Sequence, residues 1–184
     1  MKSRFEDVKL KWIPLLILLV FFFPFILKSA TFSYKYYLYV INLAGIYIIL
    51  TVGLDILSGY TGLMSLGHAA FLALGAYFSA IMVDQLGLPF ELSLIFTPML
   101  VGCFGFIIGF PALRVQGIYL GLTTMGFGFI VKRLIIVFSD WTGGSAGLRV
   151  SNAKLFGWNI NSDWENYFII YFFVIIAIVI GRRM

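Results

Sequence analysis

The sequence predicts an all-α, polytopic integral membrane protein with about six membrane-spanning segments, one of them broken or re-entrant. Three observations predict it. Of 184 residues, 61% are hydrophobic and 11% charged, against about 45–50% and about 25% in soluble domains. The apolar residues gather into runs close to the ~20 that a helix rising ~1.5 Å per residue needs to cross a ~30 Å hydrocarbon core. The basic residues stand mainly at the ends of those runs, where they set topology.

Taken in order, the first span is residues 12–27. Lys2, Arg4, Lys9 and Lys11 precede it, as in a signal peptide. No A-x-A type cleavage site stands near Ser29 and Ala30, and further spans follow, so it reads as an uncleaved helix. Pro14 falls in its first turn, where a missing amide donor is harmless, and Pro24 near its far end, where it kinks or shortens the helix. The second span, 36–57, is broken in polarity only by Asn42, Thr51 and Asp55.

The third span is awkward, because 69–83 alone is roughly 22 Å long. Either the helix starts near residue 63 and carries Ser65, Gly67 and His68 into the membrane, or 59–67 is a re-entrant loop. Both put polar groups at depth. The fourth span is 92–110, with Pro98 in its early part, and a turn over 111–117 leads to the fifth, 118–138. Residues 139–166 form one long loop, rich in Gly, Ser, Asn and Trp and too polar to span. The sixth span, 167–180, ends at Arg182 and Arg183. The whole of 1–184 reads as a single membrane domain.

Orientation follows the excess of Lys and Arg in short flanks. With the N-terminus cytoplasmic, alternating spans put the four basic tail residues, Arg114, Arg182 and Arg183 inside. Lys28, Lys35, Arg149 and Lys154 fall outside with Asp84 and Glu91. Lys132 and Arg133, near the outer end of the fifth span, fit neither group and read as snorkelling to the headgroups.

Several functions are excluded or demoted. The net charge of +5 does not indicate nucleic acid, since no basic stripe is interleaved with aromatics. No G-x-x-x-x-G-K-[ST] order cradles a phosphate. One His and one Cys, far apart, make no metal site, so no cofactor is expected. Cys103 lies in an apolar run and reads as a small buried hydrophobe. Ser65 and His68 share a helix face at i, i+3, but no G-x-S-x-G elbow surrounds the serine, so catalysis is a distant alternative. Gly105 with Gly109, Gly117 with Gly121, Ala69 with Ala73 and Ala76 with Ala80 have helix-packing spacing.

What remains is a pathway. Residues 55–77 (DILSGYTGLMSLGHAAFLALGAY) are glycine-punctuated, rich in hydroxyls and nearly uncharged. Non-helical backbone survives at membrane depth only where protein or a wet cavity covers it. Asp55, Thr61, Ser65, Gly67 and His68 are path candidates from this block, and Thr123 and Thr124, beside Gly126 and Gly128, from the fifth span. Each has a plainer alternative: a helix-end carboxylate for Asp55, a carbonyl-bonded imidazole for His68, and hydroxyls bonded back to their own helix for the threonines. In the loop, Thr142, Gly143 and Gly144 permit tight turns whose backbone donors suit a partner or a carboxylate. A flexible loop is the alternative there.

Three blocks carry a family resemblance: GLDILSGYTGLMSLGHAAFLALGAY (53–77), LRVQGIYLGLTTMGFGFIVKRL (113–134) and WTGGSAGL (141–148). In this order and spacing they resemble the membrane permeases of branched-chain amino acid ABC importers, and within them the LivM-type half rather than the LivH-type half. The match runs from about Asn42 to Leu148. The resemblance implies a permease subunit without catalytic residues in the bacterial plasma membrane. It implies a LivH-like second permease subunit, two cytosolic ATPase subunits, and an external binding protein delivering leucine, isoleucine or valine. Family members are longer, and their ATPase-contacting loop lies in the C-terminal part. The chain therefore resembles the first part of such a permease, with Arg114 as a minor contact candidate. A permease for sugars or nucleosides, and a non-transporting truncated membrane protein, stay open as alternatives.

Overall fold

The computed structural model describes residues 34–62, 65–112, 118–150, 154–155, 158–159 and 162–183. The expected first span, the basic N-terminal tail, Arg114 and Gly117 lie outside them. The elements are α1 (Tyr34–Thr61), α2 (His68–Ala80) running into a π-helical turn (Ile81–Gln85), α3 (Phe90–Ala112) and α4 (Ile118–Val137). A one-turn helix α5 (Ser139–Thr142), a 3-10 turn (Gly144–Ala146), two short strands β1 (Lys154–Leu155) and β2 (Trp158–Asn159), and α6 (Asp163–Arg183) complete the order. The strands pair antiparallel, Lys154 with Asn159 and Leu155 with Trp158.

Among the described residues, Tyr34–Tyr60, Phe90–Phe110, Tyr119–Val137 and Asp163–Arg183 are helices long and apolar enough to cross a membrane. They are the expected second, fourth, fifth and sixth spans. The sixth begins earlier than expected. Ser162 caps it, and its N–H donates to Glu165 Oε2 at 3.2 Å. This is the reach-back arm of an S-x-x-E capping box, which satisfies an otherwise orphaned amide at the helix start. The expected long loop over 139–166 is likewise partly folded, as α5, the 3-10 turn and the ladder.

The chain divides into two compact units. The first comprises Met1–Ile49 and Ser162–Ile180. Here the first half of α1 meets α6 around buried Leu38, Tyr167 and Val174. Gly45 permits the approach, because a Cβ there would stand 2.7 Å from Ile170 Cγ2. Asn42, buried in α1, donates to the Asp163 carbonyl at 3.1 Å, and the Tyr171 hydroxyl donates to the Ile41 carbonyl at 3.3 Å.

The second unit comprises Leu50–Asn161 and Gly181–Met184. In it α2 packs along both α3 and α4. Ala70, Phe127 and Val131 form the buried centre, with Phe71, Leu74, Ile108 and Ile135 against it. The α2–α3 hairpin turns at Gly87 (φ 64°). A Ser79–Ser93 hydroxyl pair 2.8 Å apart joins the two helices, with Ser93 fully buried. Such pairs hold helices together where apolar burial gives no drive.

Two packing expectations change. Gly105 does meet a neighbour, a Cβ there lying 3.5 Å from Phe71 Cε1, whereas Gly109 meets nothing within 4 Å. Cys103 is exposed rather than buried. It follows Gly102 on a side of α3 that α2 and α4 do not cover, so its apolar setting lies outside this chain.

Replacing Gly45 by leucine is expected to lower stability by about 1–3 kcal/mol, the usual cost of overpacking. Denaturation in bicelles measures it. Gly59→Leu, at a glycine with nothing within 4 Å, is the control expected to change little by steric overlap.

Candidate functional site

The site is the interruption between α1 and α2. Gly62 ends α1 in the left-handed region (φ 64°), and its N–H donates to the Ser58 carbonyl at 2.9 Å. Glycine is suited to this closing position because it has no Cβ to clash. The helix resumes at His68. The sequence left a choice between a helix begun near residue 63 and a re-entrant loop over 59–67. The structure takes neither in full. Gly59 to Thr61 stay helical, whereas residues 65–67 are non-helical.

That stretch lies at depth. A Cβ on Gly53 would stand 3.2 Å from His68 Nε2, so α2 begins beside α1 residues about 12 Å short of the α1 end, at ~1.5 Å per residue. On the other side the Leu66 N–H donates to Thr124 Oγ1 at 3.0 Å. Thr124 lies about 9 Å into α4 by the same rise. Gly67 is buried, and a Cβ on it would overlap the Thr124 carbonyl oxygen. Only glycine lets the chain pass so close. Thr124 therefore holds the break twice, with its hydroxyl and with its backbone.

The α2 helix then follows α4 in the same direction to the far end. Phe71 meets Phe127, ring centroids 5.2 Å apart, and Gln85 Nε2 donates to the Trp141 carbonyl at 2.7 Å. Counting the π turn, residues 68–85 extend about 27 Å at helical rise. The short third span thus begins about 9 Å into α4 and runs on to the far end of that helix.

The candidates are not all brought together. Ser65, Gly67, His68 and Thr124 meet at the break, with His68 and Ser65 half-buried. Thr61 is the last residue of α1. Asp55 is exposed and two residues from Gly53, so helical periodicity turns it away from the His68 face. Thr123 is exposed, its hydroxyl donating to the Tyr119 carbonyl at 2.9 Å. Thr124 also bonds back, to the Gly121 carbonyl at 2.9 Å, while accepting from Leu66. No side chain caps the α2 N-terminus, so its first amides are directed toward the break. This collects hydroxyls, an imidazole and backbone donors between apolar walls. Among the described residues, no three of His, Cys, Asp and Glu are gathered.

The Thr142 region is a folded knot rather than a slack loop. Thr142 Oγ1 lies against the Ile135 and Phe138 carbonyls and accepts the Gly144 N–H at 3.1 Å. Gly143 (φ 70°) and Gly144 (φ 57°) take left-handed conformations. Thr142 and Gly144 are buried within the knot, Gly143 is exposed, and Trp141, Ser145 and Ala146 form its outer surface. Sequence reasoning missed Gly53 and Gln85. Gln85 carried a signal, as an amide closing an apolar helix. Gly53 carried none beyond being a glycine four residues after Ile49 in an apolar run.

Residues 36–183 match the family described as branched-chain amino acid transport system, permease component. The chain is 37% identical over 150 residues to the high-affinity branched-chain amino acid transport system permease protein LivM of Escherichia coli, covering 81% of this chain and 34% of that protein. It is 41% identical over 113 residues to the same-named protein of Salmonella typhimurium, covering 61% of this chain and 27% of that one. The chain thus spans about a third of the length of the curated relatives it matches. No solved structure matches it.

Thr124→Val removes the acceptor of the Leu66 amide. With water at the break, the expected loss is about 1 kcal/mol, the net worth of one hydrogen bond; a dry break would lose several. Thr124→Ser keeps the acceptor and should lose less. Gly67→Ala should lose more than either, since backbone must move. Unfolding in bicelles ranks the three.

Proposed function

This chain belongs to the family of branched-chain amino acid transport system permease components, and from that premise we propose that it forms part of a path for leucine, isoleucine or valine across a bacterial plasma membrane. One observation carries the reading: a non-helical stretch at membrane depth, held by Thr124 and bordered by hydroxyls, imidazole and amides. A zwitterion with an apolar side chain needs polar groups for its ends and apolar walls for its body. Conduction also needs weak binding, which suits a lining of Thr61, Ser65, Gly67, His68, Thr123 and Thr124 without a strong fixed charge. The uncapped N-terminus of α2 suits a carboxylate. Asp55 stands apart from this cluster and fits a second wall better. The chain supplies this as one membrane domain and performs no catalytic step itself.

The orientation is N-terminus cytoplasmic. Arg182 and Arg183 follow Gly181, which packs on Val52 and Ile56 near the break end of α1. Asp84, Glu91 and Asp140 stand at the α2–α3 turn and the knot, the opposite end. Basic flanks mark the cytoplasm, so the break lies toward it and the knot faces outward. The partners are a LivH-like permease subunit, two cytosolic ATPase subunits and an external amino-acid-binding protein. The knot, with Thr142, Gly143 and Gly144 shaping it, suits contact with that binding protein, and lipid covers the outer faces of α3 and α6.

Deleting the gene in a cell without another importer is expected to cut ATP-dependent leucine uptake at least tenfold, with restoration by the unsubstituted gene. Labelled-leucine uptake measures it. Unchanged uptake contradicts the reading, and loss of sugar or nucleoside uptake instead reassigns the solute.

A further inference from the structure

Gly53 and His68 lie on opposite sides of the helix break, yet they touch. The imidazole rests on the α1 backbone, where a Cβ on Gly53 would stand 3.2 Å from Nε2 and 3.7 Å from Cε1. It also reaches the Leu50 backbone, one turn earlier. A Cβ at this position would make the ring give way by a few tenths of an ångström. The ring thus stands between the second half of α1 and the start of α2.

The rest of α2 is attached elsewhere. It packs along α3 and α4, is held at its start by Thr124 and at its end by the Gln85 bond to Trp141. A movement of α2 is therefore a movement with α4. On the α1 side α2 is held by the His68 contact, and α1 itself closes at Gly62. Gly62, already at positive φ, is the place where the chain can swing without steric penalty.

We propose that the His68–Gly53 contact is a latch that closes the path at the break, and that Gly53 is the positioning residue that makes the latch possible. This rests on the permease reading and adds a gate to it. With the ring seated, no solute fits between α1 and α2 at this level. With the ring withdrawn, the Leu50 carbonyl and the backbone at Gly53 join the polar lining, and the break opens on the side we assign to the cytoplasm. Residues 50, 53 and 57 then form a continuous α1 face along the opening.

The test uses the chain assembled with its partners in membrane vesicles, carrying Cys103→Ser, Gly53→Cys and His68→Cys, with a short bifunctional thiosulfonate as probe. The expected result is bridging in resting vesicles, at least a tenfold loss of leucine uptake on bridging, and recovery on reduction. Uptake that continues in bridged chains overturns the latch, and so does failure to bridge in vesicles that transport normally. If the double variant does not assemble, Gly53→Ala replaces it. That variant is expected to raise ATP hydrolysis without solute at least threefold and to leave the leucine KM within twofold. Unchanged hydrolysis overturns the proposal, because a merely structural role would not tie hydrolysis to the ring position. Unsubstituted vesicles with no ATP-driven uptake contradict the permease reading instead. In vesicles of the double variant, bridging that forms at rest and is no less extensive when ATP and vanadate are added before the probe contradicts the latch separately.

Discussion

An amide left without a partner in hydrocarbon costs several kcal/mol, and this structure is organised around the place where the chain breaks that constraint. The helix α1 closes at Gly62, residues 65–67 run non-helically against α4, and helix resumes at His68 beside Gly53. Every neighbouring feature deals with the consequence. Gly62 closes α1 on the Ser58 carbonyl. Thr124 accepts the Leu66 amide. Gly67 brings the chain against α4 closely enough for both.

The break gains its position from helices that are otherwise unremarkable spans. α3 and α4 meet α2 through an apolar centre of Ala70, Phe127 and Val131 and a polar seam of Ser79 and Ser93. The knot after α4 fixes the far end of α2 through Gln85. A threonine that bonds back to its own helix usually only bends it slightly. Thr124 does that and also serves a second segment, which turns a local habit into a tertiary contact. The knot uses the same device, since Thr142 lies against the Ile135 carbonyl of α4 and the Phe138 carbonyl just after it, and accepts from Gly144. One hydroxyl thus satisfies groups on two elements at each end of the α2–α4 pair.

Much of this was legible in the sequence. Apolar run length located four spans to within a few residues, because a bilayer fixes how long a helix must be. The glycine and hydroxyl content of 55–77 located the break. Its limits were not legible, since Gly59, Gly62 and Gly67 look alike in a string and only their backbone angles separate them. The start of α6 was legible in Ser162 and Glu165 but was hidden by the polarity of the preceding loop. That the short third span reaches the far end of α4 was not legible, because its length is completed by a π turn that no composition announces. Gly53 and Thr124 were the hardest, for each acts through a partner 15 or 58 positions away, His68 and Leu66. Cys103 misled because apolar neighbours in sequence do not imply burial within a chain whose helices are apolar enough to cross a membrane.

The central claim is that water reaches the break. It is tested most directly by the reactivity of a single cysteine at Ser65 in a Cys103→Ser background, within the assembled complex, toward a charged, membrane-impermeant thiosulfonate. The account predicts a rate within about tenfold of a cysteine placed at Ser145 on the exposed knot, and far above one at Met99 on the outer face of α3. A cysteine at Ser65 that resists the charged reagent and reacts, like Met99→Cys, only with a lipid-soluble one would contradict it.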